Sequence, residues 1–254
     1  MTIVCFTKII TEIRRSKKLR KYRDYGPLLE RMPNYEVKMG FGLHVGWAIE
    51  GAIGSFYKID ASYLSPNVEL TIKLEGATKA FGVPILLSGE LKAICSKEAD
   101  SLMRHVDSVK FVSNGVTCHI YTIDLDPNTI DTDFGQVSHT RKQAKLRRVK
   151  AKLNRQRYRD QCIDGTHSAL DKFETDPDLR TVRKGITKEF YHTWKEAHNL
   201  YMKGDWLAAK PALEKVHKAR GHMDQPATNL LEIMKGRTYC PPRGWMGTRE
   251  CDEI

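Results

Sequence analysis

Between Met39 and Leu91 the chain reads MGFGLHVGWAIEGAIGSFYKIDASYLSPNVELTIKLEGATKAFGVPILLSGEL, and no other stretch restricts the fold as much. Val37 to Val45 alternates and then turns apolar, the pattern of a half-buried strand, and Trp47 to Ile53 reads as a second strand. Gly40, Gly42, Gly46, Gly51 and Gly54, with Ser55, permit sharp turns and close backbone approach, so the two strands are expected to pair as a hairpin. Asn67 to Ala80 sets Val68, Leu70, Ile72, Leu74 and Ala77 among Glu69, Lys73, Glu75 and Lys79. That spacing predicts an amphipathic helix packed on the sheet through Val68, Ile72 and Leu74. Pro66 falls in its first turn, where a missing N–H costs nothing, and Gly82 with Pro84 ends it. Ile85 to Leu87 resumes as a short buried strand.

In order and spacing this stretch resembles the second half of the class III nucleotide cyclase catalytic domain, the adenylyl/guanylyl cyclase family. The residues that carry the resemblance are Gly42, Leu43, His44, Gly46, Gly51, Ile53 and Gly54, then Val68, Leu74, Glu75, Thr78 and Lys79. Gly82, Val83, Pro84, Ile85, Leu86 and Ser88 complete the set. A fainter likeness runs from Met1 to about Asp126. The resemblance implies an α+β fold: a partial, ferredoxin-like cyclase domain lacking its N-terminal part.

It also implies a chemistry. The family closes a ribose 3′ oxygen onto the α-phosphate and expels pyrophosphate, using two Mg²⁺ or Mn²⁺ ions held by two aspartates. An asparagine and an arginine on the helix orient the ribose and steady the α-phosphate, and a late-strand lysine binds the terminal phosphates. Each site is completed across a homodimer or a heterodimer with another cyclase domain. Here neither metal motif, F-x-D-(I/V)-x-(G/N)-F-(S/T) or (I/V)-G-D, occurs, so no metal ligand and no bound cofactor is assigned. The resemblance implies that the chain starts after both, either as it stands or as a gene model short of its upstream exons. The helix positions are Glu69 and Lys73; lysine keeps the charge but not the two-pronged grip of arginine. The late-strand lysine position falls on Val112, with Lys110 nearby as a substitute, and the purine-selecting position is Asp60 or Ser62. ATP and GTP are not distinguished. His44 is a family position too, and as a strand histidine it is read as core packing before catalysis.

Elsewhere the chain is that of a water-soluble protein. Of its 254 residues 41% are hydrophobic and 29% charged, and no apolar run has the length of a transmembrane segment. Cys5, Cys95, Cys118, Cys162, Cys240 and Cys251 are scattered without C-x-x-C pairs, which suits a reducing, cytoplasmic setting. Cys5, Phe6, Ile9, Ile10 and Ile13 predict an inward-facing helix, closed by a solvated basic run from Arg14 to Lys21. Tyr25 to Asn34 reads as a loop, Ser88 to Leu102 as a short helix with Leu91 and Ile94 inward, and His105 to Val112 and Val116 to Leu125 as strands.

After Asp126 the composition changes. Arg141 to Arg159 holds ten Lys or Arg in nineteen residues, with Leu146, Val149 and Leu153 on one stripe, and predicts a basic helix. A solvated or partner-packed helix is the leading reading; an anionic lipid or calmodulin-like contact follows. No nucleic acid is expected, since no aromatic platform accompanies the charge. Further on, Trp194, Ala197, Tyr201, Gly204, Trp206 and Ala209 resemble a tetratricopeptide hairpin, which cannot bury both faces alone and offers a surface for a protein partner. The expected division is residues 1–126, 127–185 and 186–254. Cyclase-linked cyclic-nucleotide signalling is the leading function, with this chain inactive alone; a non-catalytic dimerisation or scaffold module is the alternative.

Overall fold

The computed structural model describes residues 1–111, 115–130 and 141–251. It is a mixed α+β structure whose principal elements run α1 (Thr2–Arg15), β1 (Phe41–Leu43), β2 (Ile49–Gly54), β3 (Ile59–Leu64), α2 (Pro66–Phe81), β4 (Ile85–Ser88), β5 (Met103–Phe111) and β6 (Thr117–Ile123). They continue as α3 (Arg141–Ile163), α4 (Lys188–Lys203), α5 (Trp206–Arg220), α6 (Gln225–Gly236) and β7 (Arg249–Cys251). Two compact units result, Met1–Val37 with Pro127–Val182, and Lys38–Asp126 with Arg183–Ile254. The C-terminal helices thus belong with the sheet, and the first 37 residues with residues 127–182.

In the first unit α1 buries Val4, Thr7, Ile10 and Thr11, while Cys5 and Ile9 face outward, one helical position away from the expected face. Its basic end is not simply solvated. Lys8 Nζ lies 2.8 Å from Asp178 and 3.0 Å from Asp176, and Arg15 also grips Asp178. Arg14 and Arg23 both pair with Glu36. Gly26–Arg31, expected as loop, forms a short helix with a proline in its first turn.

The second unit is built on a five-stranded sheet of order β1-β4-β6-β5-β7. β1 runs parallel to β4 with Phe41 opposite Ile85; β4, β6 and β5 pair antiparallel, with an irregularity between His105 and Asp107. β7, in a tail expected to be irregular, pairs parallel to β5 with Arg249 opposite Val109. The expected hairpin of the first two strands does not form: β2 pairs with β3 as a separate ribbon, Ile49 opposite Leu64. Ile59, Ala61 and Tyr63 alternate as a strand should, and Ser55 N–H donates to Lys58 O at 2.8 Å to close the turn between β2 and β3.

Ser65 caps α2 and Gly82, at φ +61°, ends it. Its buried stripe is Leu74, Ala77, Thr78 and Phe81, with Leu70 half-buried. Ile72 is 64% exposed, because two residues turn the helix by about 200° and carry it away from Leu74. The helix rides close on β1: a Cβ on Gly42 would stand 2.4 Å from Thr71 O and 2.6 Å from Glu75 N. Gly42→Ala is therefore expected to cost about 1–3 kcal/mol. Urea unfolding checks this, and an unchanged midpoint would contradict the close approach.

The α4–α5 pair turns at Gly204, φ +84°, with Asp205 capping α5. Phe190, Trp194, Tyr201, Trp206 and Leu213 join Leu74, Phe81, Leu86, Val109 and Ile120 in one core, so the pair buries its apolar face on the sheet and α2. Trp194 Nε1 donates to His105 O at 2.9 Å. Ile94, expected inward, is 67% exposed.

Candidate functional site

The residues carried over from the cyclase resemblance lie around α2, β3 and β5. Glu69 and Lys73 sit one turn apart on α2; Glu69 is exposed, and Lys73 Nζ lies 4.5 Å above the Phe111 ring. Lys110 precedes Phe111 on β5, exposed, in register with Thr117 on β6 and Glu250 on β7. Strand alternation sets it on the face opposite Phe111, away from Lys73. Asp60 and Ser62 stand on the separate β2–β3 ribbon, Asp60 in an exposed ion pair with Lys58 at 2.9 Å and Ser62 opposite Gly51. Val112 lies outside the described residues. No hydrogen bond or ion pair joins these side chains to one another among the described residues.

What the structure does assemble is a polar hub around His44, at the end of β1. Asn67 Nδ2 donates to Trp47 O at 2.9 Å, which fixes the amide and leaves Oδ1 as an acceptor 3.0 Å from His44 Nε2. Nε2 therefore donates to Asn67, and Nδ1 lies 2.7 Å from the Ser88 hydroxyl and 3.8 Å from Glu90 Oε2. Ser65 Oγ donates to Trp47 O at 2.7 Å. Ser65 and Ser88 also cap the helices that follow β3 and β4. Gly46 makes room, since a Cβ there would meet the Asn67 side chain at 2.3 Å. His44, with its side chain 5% exposed, is thus a strut tying the ends of β1 and β4 to the start of α2. Ser88 is a cap that the sequence suggests; its meeting with Asn67 on His44 is not, because it depends on the parallel β1–β4 pairing.

Two buried clusters set the electrostatics under the sheet. Arg104 is clasped by Asp124 at 2.5 Å and by both oxygens of Asp224 at 2.9 and 3.1 Å, and Arg220 approaches Asp124 at 3.2 Å. Burial pushes the Asp224 carboxyl up, but Arg104's charge and hydrogen bonds outweigh it and hold the carboxyl below its usual range. Beside this, Ser108 Oγ lies 3.1 Å from His105 Nε2 and 2.7 Å from His119 Nδ1. His105 stacks on Tyr121 with ring centroids 4.7 Å apart, and meets His198 edge-on at 4.7 Å.

Burial, with His119 nearby, lowers the His105 pKa to about 4, and burial, with His105 and Arg104 nearby, lowers that of His198 to about 3. Both rings are neutral in the fold, whereas the unfolded chain protonates them below about pH 6.5. Their contribution is complete above that pH and is lost as the pH falls toward 4 and then 3. At pH 5 the loss is roughly 2 kcal/mol for each histidine at most. Urea midpoints at pH 7.5 and 5 should show that fall, and His198→Gln should flatten it. A midpoint independent of pH in this window would contradict the assignment.

Among the described residues no group of three or more His, Cys, Asp or Glu side chains is placed to hold a metal ion. No helix among them is long and apolar enough to cross a membrane. No protein-family model matches the chain. A stretch of 60 residues, 24% of the chain, is 32% identical to Adenylate cyclase 1 of Rhizobium meliloti (strain 1021) and covers 9% of that protein. That partial likeness supports a cyclase-related chain, and nothing finer.

Proposed function

We propose that this chain is a guanylate/adenylate cyclase-related protein, linked to cyclic-nucleotide signalling, that acts by pairing with another cyclase domain and has no turnover of its own. In this reading the sheet with α2 is the remnant of a ferredoxin-like cyclase core, and Glu69, Lys73, Asp60, Ser62, Lys110 and Val112 are its altered nucleotide positions. The α4–α5 pair is a tetratricopeptide-like unit. The observation that carries the pairing is the β2–β3 ribbon. Ile49, Ile53, Ile59, Tyr63 and Leu64 are each more than half exposed, and Phe56 and Tyr57 at its tip are 96% and 93% exposed. In the β2–β3 register Ile49, Ile53 and Leu64 share one face of the ribbon, and Ile59 and Tyr63 the other. Exposed apolar side chains on both faces and at the tip suit an interaction site, and a two-stranded ribbon is marginal without a cover. That neither family metal motif occurs in the sequence favours a second reading on the same surface, a dimerisation module that serves a signalling complex without chemistry.

Light scattering tests the pairing. The 29.1 kDa chain should show twice that mass alone, or a one-to-one complex with the catalytic domain of a soluble adenylate cyclase. Phe56→Ser with Tyr57→Ser should weaken the association at least about tenfold, since buried aromatics dominate such contacts. A chain that stays monomeric in both settings would overturn the proposal.

A further inference from the structure

α3 is a helix of 23 residues. Every side chain from Lys145 to Arg157 is exposed. Leu146, Val149 and Leu153, spaced three and four apart, form one aliphatic stripe and are 70%, 49% and 59% exposed. At about 100° per residue, Lys150 and Arg157 border the stripe on one side and Lys145 and Lys152 on the other. Arg147, Arg148, Arg155 and Arg159 occupy the opposite half. Like charges three and four apart, such as Arg148 with Lys152 and Arg155 with Arg159, oppose the helix by about 0.2–0.5 kcal/mol per pair. An anionic partner on both halves would remove that repulsion.

The distribution decides between partners. A membrane surface meets one side of a helix about 10–12 Å across, and cations on the far side lie beyond a screening length of about 8 Å. Four arginines would then gain little. Three aliphatic side chains with no large aromatic among them also give a shallow grip on lipid. A groove that encloses the helix meets both halves, and its apolar floor takes anchors at i, i+3 and i+7, the spacing of Leu146, Val149 and Leu153. We propose that α3 is the docking segment for an acidic, helix-enclosing protein of the EF-hand sensor type, whose apolar groove opens with calcium.

The test uses the full chain and calcium-loaded calmodulin as the probe, with phosphatidylserine vesicles and duplex RNA as competing arms. Binding to calmodulin is expected at about 1 µM or tighter in 0.15 M salt, and is lost when calcium is removed. Leu146→Gln/Val149→Gln/Leu153→Gln and Arg147→Gln/Arg148→Gln/Arg155→Gln/Arg159→Gln should each weaken it at least about tenfold. Glutamine keeps helix propensity, and circular dichroism confirms that α3 persists in both. Absence of calmodulin binding overturns the proposal, as does binding indifferent to the far-side arginines. Selective binding to vesicles or to RNA instead of calmodulin also overturns it and assigns the helix to that partner.

Discussion

Asp224→Ala is expected to lower the unfolding free energy by about 3–5 kcal/mol, a large share of the 5–15 kcal/mol typical of a domain. Asp224 is 3% exposed and accepts from both terminal nitrogens of Arg104, itself 2% exposed. Removing it leaves a buried guanidinium with one partner, Asp124, which Arg220 also approaches. The same side chain caps α6 by accepting from Ala227 N–H at 3.1 Å, so the variant loses a cap worth about 1 kcal/mol as well. Arg104 also lies between aromatic rings, 4.4 Å from the Trp194 centroid and 5.0 Å from Phe190, so a disturbed guanidinium disturbs the seat of α4. Urea unfolding of the full chain reads the loss. Asp60→Ala, in an exposed pair, should stay within about 0.5 kcal/mol. A loss below 1 kcal/mol for Asp224→Ala would mean that the network is not closed as described.

The sequence made α2 legible because its end signals and period agree: Pro66 opens it, Gly82 closes it, and Leu74 and Ala77 keep helical spacing. It misplaced Ile72, since counting apolar residues in a window does not say which of them share a face. The β1–β2 hairpin failed for a related reason. Glycines permit a turn but do not choose a partner, and β1 finds its hydrogen bonds on β4, more than forty residues away. The α4–α5 hairpin was readable from Trp194, Tyr201, Gly204 and Trp206, but its seat on the sheet was not, because packing between distant segments leaves no local period. Glu69 and Lys73, carried over from the cyclase resemblance, stand one turn apart on α2, as helical spacing requires. That Lys73 would lie over Phe111, and that His44 would join the Ser88 cap to Asn67 in the first turn of α2, followed only from the pairing of strands.

The second large effect concerns catalysis. The purified chain, given ATP or GTP with Mn²⁺ or Mg²⁺, is expected to form no cyclic nucleotide above background. Neither family metal motif occurs in the sequence, and no group of three or more His, Cys, Asp or Glu is placed to hold a metal among the described residues. In the proposed cyclase reading, Glu69 would put a negative charge at the position of a neutral amide, beside phosphates that it would repel. Lys73 lies over Phe111, and Lys110 takes the opposite face of β5. Each lost electrostatic stabiliser typically costs about 10²–10³ in rate, and several are lost together. Glu69→Asn with Lys73→Arg should therefore not restore turnover, since those two changes supply no metal ligand. The most direct measurement is conversion of radiolabelled ATP and GTP by the unmodified chain, with and without Mn²⁺, against a heat-inactivated control. The account predicts no cyclic product in any arm; a metal-dependent cyclic product that grows with protein concentration would contradict it.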